Sequence, residues 1–178
     1  MWLLVSFVIN FSCDSDDEAL SGGENLNTFQ MTLNEKLWEP SVIDSCTKTF
    51  RCEMSGYNDS PFYTIDAYQD SQLIADFNSE YHLRMQIMDV REAGLYPLNE
   101  EHGDFNSYIR LSINDESERK RKIYSNSTTD NSFEVEIEEL YPKEGSQVIG
   151  IGGEFSGTVY NVENPLDSLE IKNGAFTF

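Results

Sequence analysis

Phe133, Val135 and Ile137 interleave with Glu134, Glu136 and Glu138, apolar and acidic residues taking turns without exception. Tyr81, Leu83, Met85 and Ile87 alternate in the same way with His82, Arg84 and Gln86, as do Ile109, Leu111 and Ile113 with Arg110 and Ser112. Successive side chains of a strand point to opposite faces. A period of two therefore marks strands with one buried and one wet face, the habit of antiparallel sheets. Less regular runs at Phe29–Leu33, Phe50–Met54, Tyr63–Ala67, Lys122–Ser125, Val148–Tyr160 and Leu169–Phe178 extend the set. Turn-forming clusters separate them: Tyr57-Asn58-Asp59-Ser60-Pro61, Glu101-His102-Gly103-Asp104, Tyr141-Pro142-Lys143-Glu144-Gly145 and Asn164-Pro165. No stretch of helical length sustains a 3.6-residue period. The expected fold is all-β, an antiparallel β-sandwich or small barrel of roughly 8–10 strands.

Two irregularities refine this expectation. Leu169 and Ile171 lie on one parity and Phe176 and Phe178 on the other, so a bulge at Asn173-Gly174, with the glycine at positive φ, would bring all four to one face. Gly150, Gly152, Gly153 and Gly157 crowd the preceding strand. They lack the spacing and the following helix of a dinucleotide-binding loop, and in a β-context they mark a bend or a close backbone approach.

The first residues break the alternation. Residues 1–12 are almost wholly apolar, too short to span a bilayer but of the length of a signal-peptide core. A buried first strand is the plainer alternative, but the abrupt switch to Cys13-Asp14-Ser15-Asp16-Asp17-Glu18, with no turn chemistry between, argues against it. The basic residues that ordinarily open a signal peptide are missing, which points to a start further upstream. Residues 13–27 read as an acidic flexible tether and residues 28–178 as the all-β domain.

The segment Asn10-Phe11-Ser12-Cys13 resembles a lipobox, with Ser12 as the small residue before the cysteine and Asn10 where leucine is commonest. The resemblance implies lipidation at Cys13 and attachment to a membrane through that lipid. The acidic run after Cys13 resembles the surface-export signal of Bacteroidetes-type lipoproteins, which implies the outer membrane. Further on, Leu33-Asn34-Glu35-Lys36-Leu37-Trp38, Ile151-Gly152-Gly153-Glu154-Phe155-Ser156-Gly157 and Ile171-Lys172-Asn173-Gly174-Ala175-Phe176 resemble the opening and closing strands of a group of Bacteroidetes lipoprotein domains of unknown function. Glu35 stands where that group carries glycine. The resemblance implies an all-β secreted domain and supplies no activity.

Composition narrows the partners. With 32 acidic against 12 basic residues the formal charge is −20, a surface that repels phosphate backbones and excludes nucleic acid as an expected partner. The plain reading of the acidity is solubility. Arg119-Lys120-Arg121-Lys122 holds a third of the basic residues, but it follows Asp115-Glu116-Ser117-Glu118 and is expected to face that run across a hairpin tip.

With Cys13 carrying lipid, Cys46 and Cys52 remain as a pair that an oxidising compartment would join. Such a bridge closes a small loop and contributes about 2 kcal/mol. In one extended strand the two would stand roughly 20 Å apart, so the chain must reverse between them. Two buried thiols on strands are the alternative. His102 sits among acids, as a solvated turn would, and its spacing matches no calcium loop. His82 falls on the polar side of its strand and is expected to be exposed. No metal site, cofactor site or catalytic constellation emerges. Most of the nine tyrosines fall on core parity, which leaves few aromatic platforms for sugars. The expected role is a non-enzymatic binding or structural domain with a glycan or protein ligand. A glycan-binding accessory lipoprotein is one alternative. A transmembrane β-barrel is another, suggested by the aromatic end Phe176-Thr177-Phe178.

Overall fold

The computed structural model describes residues 27–41, 49–57, 59–69, 81–98, 101–102, 105–115, 120–126, 133–142 and 149–178. Among them the strands are β1 (Thr28–Leu33), β2 (Lys36–Trp38), β3 (Phe50–Tyr57), β4 (Ser60–Gln69), β5 (Tyr81–Met88), β6 (Gly94–Pro97), β7 (Glu101–His102), β8 (Phe105–Asn106), β9 (Tyr108–Asp115), β10 (Lys120–Ser125), β11 (Glu134–Pro142), β12 (Ile149–Asn161) and β13 (Ser168–Thr177). No helix occurs among the described residues. Each of the nine alternating or apolar runs read from the sequence falls on a strand and overruns it by no more than a residue, as far as the described residues go. The short β2, β6, β7 and β8 were not expected, because two to four residues are too few to display a period.

The expected all-β class is correct, and the arrangement is a single antiparallel sheet of eleven strands curled into a half-barrel. Its path runs β2-β1-β13-β12-β10-β9-β5-β4-β3, while β7 and β8 form a separate ribbon. The fork is at β12. Its first half pairs with β11, which carries β6, and its last residues Tyr160 and Asn161 pair with β10. The curl brings distant strands together: the Tyr63 hydroxyl of β4 donates to the Ile149 carbonyl at 3.2 Å, and the Phe50 ring packs edge-on to Phe178 at 5.8 Å.

One parity of each strand fills the concave side. Ile65, Leu83, Met85, Ile109, Leu111, Val135, Ile151 and Ile171 are wholly buried there, beside a run of rings comprising Phe29, Phe133, Phe155 and Phe176. Burying an aliphatic side chain of this size stabilises the fold by about 1.5–3 kcal/mol, so this layer is the principal stabiliser.

The bulge lies in β13 where the parity switch requires it. The strand advances three residues, Ile171 to Gly174, while β12 advances two, and Ile171, Phe176 and Phe178 all end buried. The glycine's role differs from expectation: Asn173 takes the positive φ of 48°. Gly174 is needed for space, because a Cβ there would lie 2.6 Å from the Phe155 ring.

Candidate functional site

On the convex face of β3, β4 and β5, the outward parity gathers a polar cluster around Asp66. Arg51, Asp66 and Arg84 are successive cross-strand neighbours. Arg84 Nε and Nη2 donate to the two Asp66 carboxylate oxygens at 2.8 and 2.9 Å. His82 Nε2 lies 2.9 Å from Oδ1, and Arg51 Nη2 donates to Oδ2 at 3.3 Å. The Tyr68 ring stacks on His82 at 4.3 Å and nearly parallel. Together they leave the Asp66 side chain only 1% exposed on a face that would otherwise be wet.

Burial by itself raises the Asp66 carboxyl pKa. The hydrogen bonds from His82 and Arg84, with the charges of both, outweigh that and hold it well below the usual carboxylate range. The same bonds raise the Arg84 guanidinium, against the opposing effect of its own burial. A carboxylate that already accepts four such contacts has no lone pair to offer as a general base. The cluster ties three strands together. His82, expected to be exposed, is half-buried instead, because the expectation did not include Asp66 on the facing strand.

Gln69, Tyr81 and Ile113, successive cross-strand neighbours, mark one end of the concave side. There a cavity of about 280 Å³ is walled by Leu33, Leu37, Trp38, Tyr81, Ile113 and Leu169, with Asn34, Lys36 and Gln69 as its polar members. β1 and β2 supply one wall through a tight hairpin whose turn residues, Asn34 and Glu35, both have positive φ. Paired φ > 0 residues match the right-handed twist of the strands they join. The hairpin is fastened to β13, since the Asn34 backbone N–H donates to the Glu170 carbonyl and its Oδ1 accepts from the Glu170 N–H. Gln69 is likewise engaged, donating to the Glu39 carbonyl at 3.1 Å.

Trp38 is the unusual member of this wall. It is 3% exposed and packs edge-on to Phe29. Its indole Nε1–H is buried with no hydrogen-bond partner among the described residues. An unpaired buried donor costs about 1–3 kcal/mol.

A second hollow of about 340 Å³ lies on the convex face of β11–β13, lined by Glu134, Glu136, Glu154, Ser156, Lys172 and Asn173 among others. Glu136 and Glu154 are direct cross-strand neighbours, and all three glutamates are exposed. No group of three or more His, Cys, Asp or Glu among the described residues is arranged to hold a metal ion.

Of the residues singled out in the sequence, Cys13 and Cys46 lie outside the described residues, as do the leader, nearly all of the tether, and Arg119. Cys52 is half-buried on β3 opposite Ile65, packed against the core. His102 belongs to the small β7–β8 ribbon. Across the β9–β10 hairpin Lys120 stands opposite Asp115, Arg121 opposite Asn114 and Lys122 opposite Ile113, and Lys120 forms an ion pair with Glu163. Two of the outward aromatics are engaged, Tyr68 by His82 and Tyr108 by the Arg110 guanidinium 5.8 Å from its ring centre. Sequence reasoning missed both Asp66 and the cavity. The acid was visible as the lone carboxylate inside Tyr63-Thr64-Ile65-Asp66-Ala67-Tyr68; the cavity left no local signal, since its walls come from strands far apart in sequence.

Against known families, residues 26–178 match the family model described as a domain of unknown function, DUF5025. The chain belongs to the DUF5025 family. The match covers the whole half-barrel, including the hairpin and β13 that wall the cavity, so these are parts of the DUF5025 domain and not appendages to it. No curated protein and no solved structure matches the chain.

Proposed function

We propose that this DUF5025 protein is a non-enzymatic binding domain of the cell envelope, held to the outer membrane by lipid on Cys13, with the end of the half-barrel beside Trp38 as its binding end. The observation that carries the reading is the cavity of about 280 Å³ beside Trp38, in which Leu33, Tyr81, Ile113 and Leu169 meet the polar Asn34, Lys36 and Gln69. Ligand sites are concave, mostly apolar and furnished with a few polar groups, and the mouth of a curled sheet is a usual place for one. The apolar leader, the lipobox-like Asn10-Phe11-Ser12-Cys13 and the acidic stretch after it support the anchor.

The polarity of the sheet favours an aqueous domain over a membrane-spanning barrel. Spanning barrels turn an apolar band outward and polar residues inward. Here Ile65, Leu83, Met85 and Leu111 face inward, and Arg51, Glu53, Arg110, Glu134, Glu136 and Glu154 lie exposed on the other parity.

Metabolic labelling with a palmitate analogue tests the anchor: label is expected on the wild type and none on Cys13→Ala, and label retained by the variant refutes it. The binding end is tested with an anionic naphthalene dye titrated into the full chain carrying Trp2→Phe, where Trp38 is the sole tryptophan. One dye per chain receiving energy from Trp38 is expected. A dye that binds without drawing on Trp38 refutes it.

A further inference from the structure

We propose that the convex face of β4, β5 and β9 is a second binding surface, for an acidic polysaccharide whose uronate carboxylates bridge Arg84 and Arg110; it is separate from the cavity beside Trp38 and does not depend on it. Arg51, Asp66, Arg84 and Arg110 are consecutive cross-strand neighbours on β3, β4, β5 and β9. One row across the sheet thus carries three guanidinium groups and a single carboxylate. In a chain of net charge −20 that is a local reversal of sign. The acids of this face are already engaged. Asp66 is bound by Arg84, His82 and Arg51, and Glu53 pairs with Arg51 at 3.2 Å.

Arg110 has no acidic partner among the described residues; its guanidinium rests over the Tyr108 ring. Like charges directly opposite one another in a sheet are destabilising, so stability does not account for Arg110 beside Arg84. Both groups are nonetheless held in place, one by Asp66 and the other by Tyr108. Arg84 spends Nε and Nη2 on Asp66, and its Nη1 makes no hydrogen bond among the described residues. Two neighbouring planar forks with donors to spare match the paired oxygens of a carboxylate.

The openness of the face sets the kind of ligand. A lone exposed ion pair contributes little, so a single small anion gains little here. A polymer engages Arg110, Arg84 and Arg51 together, across three strand spacings or about 14 Å. A peptide adds to a sheet edge or lies in a groove, whereas β4, β5 and β9 are interior strands paired on both sides. A nucleic acid, with a charge every ~1.7 Å, would set its full density against the rest of this acidic chain. A polyuronate carries one carboxylate per sugar, and its hydroxyls meet Thr64 and Gln86 on the adjoining row.

The experiment titrates the full chain with polygalacturonate at about 0.15 M salt, where a screening length of about 8 Å shields distant acids and leaves direct contacts intact. The wild type is expected to bind, and not to bind the methyl-esterified polymer, which lacks the charge. Arg110→Gln is expected to weaken binding about tenfold at an unchanged unfolding midpoint, since Arg110 has no ion pair to lose. Arg110→Lys should recover only part of the loss, because an ammonium cannot present two parallel N–H groups. Arg91→Gln removes an equal charge beside Asp89, off the row, and should bind as the wild type does. The proposal is overturned if polygalacturonate does not bind, if the esterified polymer binds equally, or if Arg91→Gln loses as much as Arg110→Gln. Polyglutamate binding as tightly as polygalacturonate would overturn the assignment to a sugar.

Discussion

Arg84 lies side-on to Asp66 across β4 and β5, its Nε 2.8 Å from Oδ1 and its Nη2 2.9 Å from Oδ2. The two partners are unequally exposed, the arginine side chain 39% and the aspartate 1%. Removing one is therefore not equivalent to removing the other. Arg84→Ala leaves a buried carboxylate with His82 and the longer Arg51 contact, and is expected to cost about 3 kcal/mol. Asp66→Asn leaves guanidinium groups that can turn to water, at a cost of about 1–2 kcal/mol. Urea unfolding of the two variants checks the order; an equal or larger loss in Asp66→Asn contradicts it.

The same pair sets part of the acid response. Because the folded Asp66 pKa is depressed, its stabilisation is fully present above the unfolded value of about 3.9 and is lost as pH falls below it toward the folded value. Between pH 7 and pH 3 the stability gap separating wild type from Asp66→Asn should therefore narrow. Comparing the two proteins removes the general effect of relieving the acidic chain's self-repulsion. A gap that stays constant contradicts the assignment.

Much of the fold was legible in the sequence because strand alternation is local. Glu134 to Glu138 need no knowledge of their partners to declare a wet face, and the β13 bulge follows from the parity of Ile171 and Phe176 alone. What was not legible depended on pairing across the sheet. Whether the curl makes a sandwich or a half-barrel is decided by β12 accepting both β11 and β10 on one edge, which no residue of β12 announces. His82 was misplaced for the same reason, its burial coming from Asp66 and Tyr68 on β4.

Glu35 occupies the second turn position of the β1–β2 hairpin at φ 67°, a conformation that costs a residue with a Cβ about 1–2 kcal/mol. Glu35→Gly relieves this at some cost in chain entropy, and is expected to stabilise the domain by about 0.5–1 kcal/mol. A raised urea midpoint with unchanged slope is the expected result.

Gly153 answers the opposite need. A Cβ at this position would stand 2.2 Å from the Glu136 carbonyl oxygen of the neighbouring strand, a backbone atom that cannot swing aside. Gly153→Ala is expected to cost about 3 kcal/mol, by forcing β11 and β12 apart. Thermal unfolding at the wild-type midpoint would contradict the close approach.

The central claim is that the end of the half-barrel beside Trp38 binds a ligand, and the most direct measurement is dye affinity after the cavity has been filled. Leu169→Trp adds an indole to the part of the wall that β13 supplies beside β1, on a different strand from every member of the Asp66 cluster. The account predicts that the anionic naphthalene dye binds at least about tenfold more weakly to this variant, the loss expected when apolar contact in a pocket is denied, while the unfolding midpoint holds or rises. Undiminished dye affinity in a variant of unchanged stability would place the dye elsewhere and contradict the claim.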